Sequence, residues 1–122
     1  MRLRVALLVT ALLCAGPVWA HHSNSAFYVE KIIELKGIVT KFEWINPHTF
    51  ISMTVDDGKG AKVDWRVEGR APGVLLRAGW ERDTLKVGET ITVFCSPAKD
   101  DSHVCLTARV VKGDGTILSN GG

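Results

Sequence analysis

The sequence predicts an all-β domain, a small five-stranded Greek-key barrel with one short helix between its third and fourth strands. Three observations support this fold class. Apolar and polar residues alternate with a period of two in five segments that follow residue 34. A stretch that starts with proline and ends with glycine separates the third segment from the fourth. The length of 122 residues leaves room for one domain with a modest core.

The segment before the barrel has the three parts of a secretory signal peptide. Two arginines stand among the first four residues, Val5–Ala15 is apolar, and a small residue, Ala20, ends the segment. The apolar run is shorter than the ~20 residues that a membrane-spanning helix needs. We therefore expect export to the periplasm or medium, and a mature chain without a transmembrane segment. The predicted organisation is a signal peptide at 1–20, an N-terminal arm at 21–34 and the barrel domain at 35–122.

The first three strands are predicted from alternation and from the breaks between them. Asn46-Pro47 ends the first strand, because proline cannot donate to a strand ladder. Asp56–Gly60 has the composition of a turn and joins the second and third strands into a hairpin. The predicted inward residues are Ile38, Phe42 and Trp44 in the first strand, Ile51, Met53 and Val55 in the second, and Val63, Trp65 and Val67 in the third.

The helix and the last two strands follow. Pro72 suits the first turn of a short helix, and Gly79 suits its C-terminal cap. Asp114-Gly115 predicts a tight turn into a small closing ribbon. The predicted inward residues are Ile91 and Val93 in the fourth strand, and Val104, Leu106, Ala108 and Val110 in the fifth.

Three strands, a short helix and two further strands are the order of elements in the OB-fold, a five-stranded Greek-key barrel. Closure into a barrel also removes the exposed edges of an open five-stranded sheet. A lipocalin-like barrel needs more strands than the chain provides. An immunoglobulin-like sandwich would require strands in the segment that holds Pro72 and Gly79, which both residues oppose. The OB-like barrel is therefore the predicted fold.

Cysteine usage agrees with export. Beyond the signal peptide the chain keeps Cys95 and Cys105, and an even number of cysteines in an exported protein predicts one disulfide. Strand parity complicates the pairing, since Cys95 shares the parity of the inward residues and Cys105 does not. A β-bulge, or the end of the fourth strand at Ser96-Pro97, would permit the bond. The alternative is a buried Cys95 and an exposed Cys105, both reduced.

Several segments carry a family resemblance. They are His21-His22-Ser23, Gly37-Ile38-Val39-Thr40-Lys41, Trp44-Ile45-Asn46-Pro47-His48, Trp65-Arg66-Val67-Glu68-Gly69, Gly79-Trp80 and Leu85-Lys86-Val87-Gly88. Together they resemble a family of short exported bacterial proteins known as domain of unknown function 6152. The resemblance spans nearly the whole mature chain and implies a small periplasmic domain. The family has no established activity, so the resemblance assigns no functional residue.

Histidines at the mature N-terminus are the first candidate for chemistry. After cleavage at Ala20, His21 presents an α-amine and an imidazole that chelate one metal ion, and a second imidazole completes a histidine brace. Such a nitrogen-rich tetragonal site favours copper(II). His48, which Pro47 directs at one barrel mouth, is the best internal partner, and His22 offers a second mode. The metal candidates are therefore His21, His22 and His48, with copper as the metal. The alternatives are a disordered tail and a His48 that only satisfies a backbone carbonyl.

A tryptophan supplies the second candidate site. Trp44 and Trp65 have inward parity and are expected in the core, whereas Trp80 follows the helix and is expected to be partly exposed. Trp80 is therefore the candidate ligand-binding residue of a different function. In that alternative the chain is a metal-free module that docks on a protein or glycan partner in the cell envelope.

The charge balance and the lack of catalytic motifs argue against two other functional classes, nucleic-acid-binding proteins and enzymes. Without the two arginines of the signal peptide, the 15 basic residues fall to 13 and match the 13 acidic ones. No basic surplus is left for binding nucleic acid. The sequence lacks a Gly-x-Ser-x-Gly elbow, a His-Glu-x-x-His helix and a phosphate loop. We therefore expect a periplasmic binding module rather than an enzyme. Its oligomeric state is not indicated by the sequence.

Overall fold

A computed structural model describes residues 24–121 of the chain. It contains one turn of 3₁₀ helix, one α-helix and six strands. In chain order these are the 3₁₀ helix Asn24–Ala26, β1 Ile33–Glu43, β2 Phe50–Asp56, β3 Lys62–Glu68, α1 Pro72–Arg77, β4 Thr90–Pro97, β5 Val104–Lys112 and β6 Ile117–Ser119. Within residues 24–121 no helix has the length and apolar character needed to cross a membrane.

The strands form one curled sheet in the order β3-β2-β1-β4-β5-β6. A parallel pairing of Arg66–Glu68 with Val104–Leu106 joins β3 to β5 and closes the sheet into a barrel. All other strand pairs are antiparallel. Five strands therefore build the barrel, α1 lies between β3 and β4, and β6 adds a short ribbon to β5. This is the predicted fold class.

A bulge in β1 changes which of its residues face the core. The register with β2 shifts between Val39 and Lys41, so Thr40 is an extra residue that reverses the alternation. Before the bulge Val39 is buried while Ile38 is 47 % exposed, and after it Phe42 packs against the core. The prediction that Ile38 and Phe42 share a face is therefore wrong. The extra residue Thr40 shifts the alternation, so that even-numbered positions face outward before the bulge and inward after it.

A second bulge interrupts β5. Phe94 pairs with Arg109 and Cys95 pairs with Thr107, which leaves Ala108 as the extra residue. The buried residues of β5 are Cys105, Thr107 and Val110. Of the predicted inward set only Val110 is buried: Val104 and Leu106 alternate with the buried residues, and Ala108 is exposed. The bulge gives Cys105 the inward direction that simple alternation denied it.

The two cysteines meet inside the barrel as a consequence. Cys95 and Cys105 form a disulfide with their Cα atoms 5.7 Å apart, and neither residue is exposed. The predicted disulfide is thus confirmed, and the β-bulge is the feature that permits it. The bond links the end of β4 to the start of β5 across the loop between them.

The helix and the turn after it contribute Leu75 and Trp80 to the core. Pro72 lies in the first turn of α1, where a missing N–H costs nothing. Gly79 adopts a φ of 91°, and its N–H donates to Leu76 O at 3.1 Å. The N–H of Trp80 donates to Leu75 O at 2.9 Å, which completes a Schellman motif. The predicted glycine cap is confirmed, and it directs the chain inward at Trp80.

The segment before β1 is fastened to the loop between β4 and β5. Phe27 forms a β-bridge with Ala98, and the N–H of Tyr28 donates to Pro97 O at 2.9 Å. The N–H of Lys99 donates to Ala26 O at 2.9 Å. The described part of the predicted arm is therefore attached to the barrel, and β1 already begins at Ile33.

Candidate functional site

His48 lies in the loop between β1 and β2, directly after a cis peptide bond between Asn46 and Pro47. One third of its side chain is exposed. Its Nδ1 lies 2.9 Å from Glu68 Oε1 and 3.3 Å from Gly69 O. We call His48, Glu68 and Gly69 the mouth site, because they meet where β1 ends and β3 ends. The loop position of His48 agrees with the sequence prediction.

Backbone hydrogen bonds join the two segments that carry the mouth site. The N–H of Gly69 donates to Thr49 O at 2.8 Å, and the N–H of Thr49 donates to Arg70 O at 3.2 Å. The Thr49 hydroxyl donates to the same Arg70 carbonyl at 2.9 Å. A Cβ at Gly69 would collide with Thr49 Oγ1, so a glycine is required for this close approach. The main chain therefore holds His48 and Glu68 at a set separation.

Glu68 is fixed from the other side by β5. It ends β3, where it pairs with Phe50 of β2 and with Leu106 of β5. Its carbonyl oxygen accepts a hydrogen bond from Thr107 Oγ1 at 2.7 Å. The side chain is 22 % exposed and points to His48. Three strands thus position one carboxylate next to one imidazole.

Three other charged side chains near the mouth site, Lys41, Glu43 and Arg66, are paired with one another. The Arg66 guanidinium lies 4.0 Å from the centre of the Phe50 ring and 3.4 Å from Glu43 Oε2. Lys41 Nζ lies 3.3 Å from Glu43 Oε1. An open depression of about 270 Å³ borders the site, with Ile45, Pro47 and Phe50 supplying apolar walls. His48 and Glu68 therefore form a separate polar pair at the edge of an apolar hollow.

The predicted metal ligands divide into two groups. His21 and His22 lie outside the described residues, whereas His48 belongs to the mouth site. No group of three or more His, Cys, Asp or Glu side chains suited to a metal ion occurs within residues 24–121. Of the three predicted ligands the described residues therefore contain one imidazole, that of His48, with the Glu68 carboxylate next to it.

Glu68 is the site residue that sequence reasoning missed. The sequence marks Glu68 only as a polar residue on the outer face of a strand. The signal that reveals it is the hairpin register: counting back from the predicted turn, Val55 pairs with Val63 and Phe50 pairs with Glu68. That count brings the end of β3 next to the loop that holds His48.

The second predicted site, a partly exposed Trp80 that binds a ligand, is corrected by the position of this side chain. Its side chain is buried, with a relative exposure of 2 %, and its Nε1–H donates to Ser119 O at 2.7 Å. The expectation that Trp80 is partly exposed is wrong, because the Schellman turn directs the ring into the core. Trp44 and Trp65 are partly buried and pack against that core as predicted. In this structure Trp80 presents no surface to a ligand.

Two other residues with metal-binding side chains take structural positions. Met53 is 1 % exposed and belongs to the core. His103 is exposed, lies in the loop between β4 and β5, and packs its ring 5.1 Å from the centre of the Trp65 ring. Neither residue adds a ligand to the mouth site.

A solved structure with a similar fold is that of the mitochondrial single-stranded DNA binding protein Rim1 from S. cerevisiae. The two chains align with a TM-score of 0.51 and 11 % sequence identity, over 75 % of this chain and 96 % of that chain. A likeness at this identity supports the OB-type barrel and carries no argument about the ligand.

Sequence comparison identifies the family. No curated protein sequence matches the chain. The sequence model of a family of unknown function, DUF6152, matches residues 9–107, which is most of the chain. The match includes both segments of the mouth site and the two cysteines of the disulfide. The chain therefore belongs to the DUF6152 family.

Proposed function

We propose that the chain is a periplasmic copper-binding protein whose site combines the mature N-terminus with His48. His21 supplies its α-amine and imidazole, and His48 supplies Nε2, with His22 as the alternative further ligand. The observation that carries the proposal is the mouth site, where Glu68 and Gly69 engage Nδ1 of His48. Metal-binding histidines are held in this way, because a partner on one ring nitrogen sets the tautomer and orients the other.

Chain length allows the N-terminus to reach the mouth site. The anchored Phe27 connects through Ala98 and Val104 to Arg66, which precedes Glu68 by two residues on β3. Neighbouring strands lie about 4.8 Å apart, so this path measures on the order of 20 Å. The six steps from Phe27 back to His21 span about 16 Å at most, because the 3₁₀ turn Asn24–Ala26 rises only about 2 Å per residue and 21–23 would add about 10 Å if extended. The side chains of His21 and His48 supply the remaining reach. A brace between His21 and His48 is therefore compatible with the anchored arm.

Donor chemistry and compartment support the same function. An amine and two imidazoles are nitrogen donors suited to copper, and a T-shaped arrangement fits its tetragonal preference. The predicted signal peptide and the buried Cys95–Cys105 disulfide both agree with an oxidising compartment. The protein would hold or deliver copper in the cell envelope. Docking through Trp80 has no support, because that side chain is buried.

The test uses protein exported to a bacterial periplasm, whose first residue is read by mass spectrometry. Copper(II) titration and electron paramagnetic resonance then report stoichiometry and ligands. We expect a His21 start, one copper ion per chain and a nitrogen-rich spectrum. A glycine inserted before His21 converts the α-amine into an amide, and His48→Ala removes an imidazole. Each change should weaken binding about tenfold or more, equivalent to at least ~1.4 kcal/mol.

His103→Ala is the matched control, since His103 is an exposed histidine outside the mouth site. Its affinity should equal that of the unmodified protein. Unchanged copper affinity after the glycine insertion would exclude the N-terminal site, even if copper still binds elsewhere on the chain.

A further inference from the structure

We infer that Asn120, which precedes Gly121, is a deamidation site that the fold protects, and that its deamidation detaches the C-terminal segment from the barrel. The inference concerns a covalent modification and does not depend on the proposed copper binding. Three observations carry it: the residue that follows Asn120, the hydrogen bonds of the Asn120 side chain, and the position of Gly121 against α1.

The residue after each asparagine sets its reactivity. In deamidation the backbone nitrogen of the next residue attacks the side-chain Cγ, loses its proton and expels ammonia, which forms a five-membered succinimide ring. Water then opens the ring to an aspartate or an isoaspartate. Gly121 has no side chain to hinder the attack on Asn120, whereas the nitrogen of Pro47, after Asn46, has no proton to lose. The sequence context therefore makes Asn120 reactive and Asn46 inert by this route.

The folded protein holds the Asn120 side chain at both ends of its amide. Nδ2 donates to Thr107 O of β5 at 2.8 Å, and Oδ1 accepts from the N–H of Arg70 at 3.3 Å. The amide thus bridges β5 and the segment between β3 and α1. Ring formation makes Cγ tetrahedral and removes Nδ2, so it breaks the bond to Thr107. Because these hydrogen bonds stabilise the intact amide, they slow its cyclisation.

The backbone on both sides of Asn120 is held as well. Ser119 O accepts a hydrogen bond from Nε1–H of the buried Trp80 at 2.7 Å. Gly121 has a φ of 74°, and a Cβ at this position would lie 2.8 Å from Val74 Cγ1 of α1. The peptide unit between Asn120 and Gly121 has to turn toward Cγ before the ring can form. We therefore expect the reaction from conformations in which the segment after β6 has left the barrel.

Deamidation hinders the return of this segment. Both products carry a carboxylate, which has no proton to donate at neutral pH, in place of the amide that donates to Thr107 O. The carboxylate oxygens and this carbonyl oxygen repel one another. Isoaspartate also adds one methylene to the main chain, which displaces Gly121 from its position against Val74. The modification is therefore a one-way record of the opening of the C-terminal segment.

The experiment follows deamidation of the mature protein by peptide mass spectrometry during incubation at mildly alkaline pH. The folded protein is compared with the same protein unfolded in guanidinium chloride. Asn120 should react about tenfold or more slowly in the folded protein, because the segment has to open first. Asn46 is the internal control and should stay unmodified in both samples.

A pair of variants tests the protection without denaturant. Trp80→Phe removes the hydrogen bond to Ser119 O and should speed deamidation of Asn120 in the folded protein. Leu76→Ala is the matched control, because Leu76 is exposed on the same helix, and it should leave the rate unchanged. Equal rates for Asn120 in the folded and unfolded protein would overturn the protection. An Asn120 that stays intact in the unfolded chain would overturn the modification site.

Asn120→Asp reproduces the aspartate product and tests the detachment. It should lower the midpoint of thermal unfolding by about 5 °C and speed hydrogen exchange of the β6 amides about tenfold. Asn46→Asp is the control, since Asn46 is exposed, and it should change neither quantity. An Asn120→Asp variant with the stability and exchange of the parent protein would show that the carboxylate does not detach the segment.

Discussion

At the scale of single residues, the turn at Gly79 determines whether the Trp80 ring is buried or exposed. Trp80 directly follows Gly79, the predicted cap of the helix, and this position predicts partial exposure when only helix and loop are considered. The positive φ of Gly79 reverses the chain there and turns the ring inward. The ring then packs 6.1 Å from the centre of Phe42 and hydrogen-bonds to β6. Trp80 thereby connects α1 to β1 of the barrel and to the β6 ribbon.

Trp80→Phe tests this structural role. The change removes the hydrogen bond to Ser119 O and part of a buried ring, so we expect the free energy of unfolding to fall by about 2–3 kcal/mol. Chemical denaturation measures the loss. Leu76→Ala is the control, because Leu76 is on the same helix and is 56 % exposed, and it should change stability by less than about 0.5 kcal/mol. Equal losses in the two variants would contradict the buried role of Trp80.

At the scale of elements, an ion pair joins the entry of β4 to the end of β5. Lys112 Nζ lies 3.1 Å from Glu89 Oε1, and the N–H of Lys86 donates to Glu89 Oε2 at 3.0 Å. Burial raises the pKa of Glu89, but the Lys86 hydrogen bond and the Lys112 ammonium outweigh it. The pKa of this carboxyl therefore lies below its ordinary value in the folded protein.

Glu89→Gln tests the ion pair through its pH dependence. Because the folded state lowers the pKa, the stabilisation is complete above the ordinary pKa of glutamate and is lost as the pH falls through the folded-state value. We expect the variant to be less stable by at most ~1 kcal/mol at pH 7, the difference vanishing in acid. Urea unfolding at several pH values measures it. A difference that persists at low pH would show that the carboxylate charge is not the cause.

At the scale of the whole molecule, the disulfide ties together the parts on which the site depends. It closes the loop between β4 and β5, and the two cysteines have a sequence separation of 10. That loop anchors the N-terminal segment through the bridge between Phe27 and Ala98. It also precedes β5, whose Thr107 holds Glu68. The covalent bond therefore supports both the arm and the mouth site.

Replacement of both cysteines by alanine should lower the free energy of unfolding by about 2–4 kcal/mol, because the unfolded chain gains the freedom of the opened loop. Thermal unfolding with and without a dithiol reductant measures the effect. The reductant should destabilise the parent protein and leave the double variant unchanged. A parent protein whose stability equals that of the double variant would contradict a stabilising disulfide.

Much of the site was accessible from the sequence, and the rest depended on strand pairing. His48 was predicted at a barrel mouth, because an Asn-Pro break after an alternating strand is a local signal. Its contact with Glu68 was not predicted, since the two residues are distant in the chain and meet only through the register of β2 with β3. Trp80 was predicted on the wrong side, because helix end signals do not specify where the following ring points.

The sequence by itself determined the order of elements, the single domain and the cysteine pair, because alternation, turn residues and composition are local properties of the chain. Tertiary structure alone decided the facing of residues around the two bulges, since an extra residue is defined only against a paired strand. It also decided that Cys105 points inward and that a carboxylate stands behind His48. The physical reason is that pairing with distant strands decides both features: a bulge reverses the alternation of side chains, and the register of a hairpin determines which residues meet.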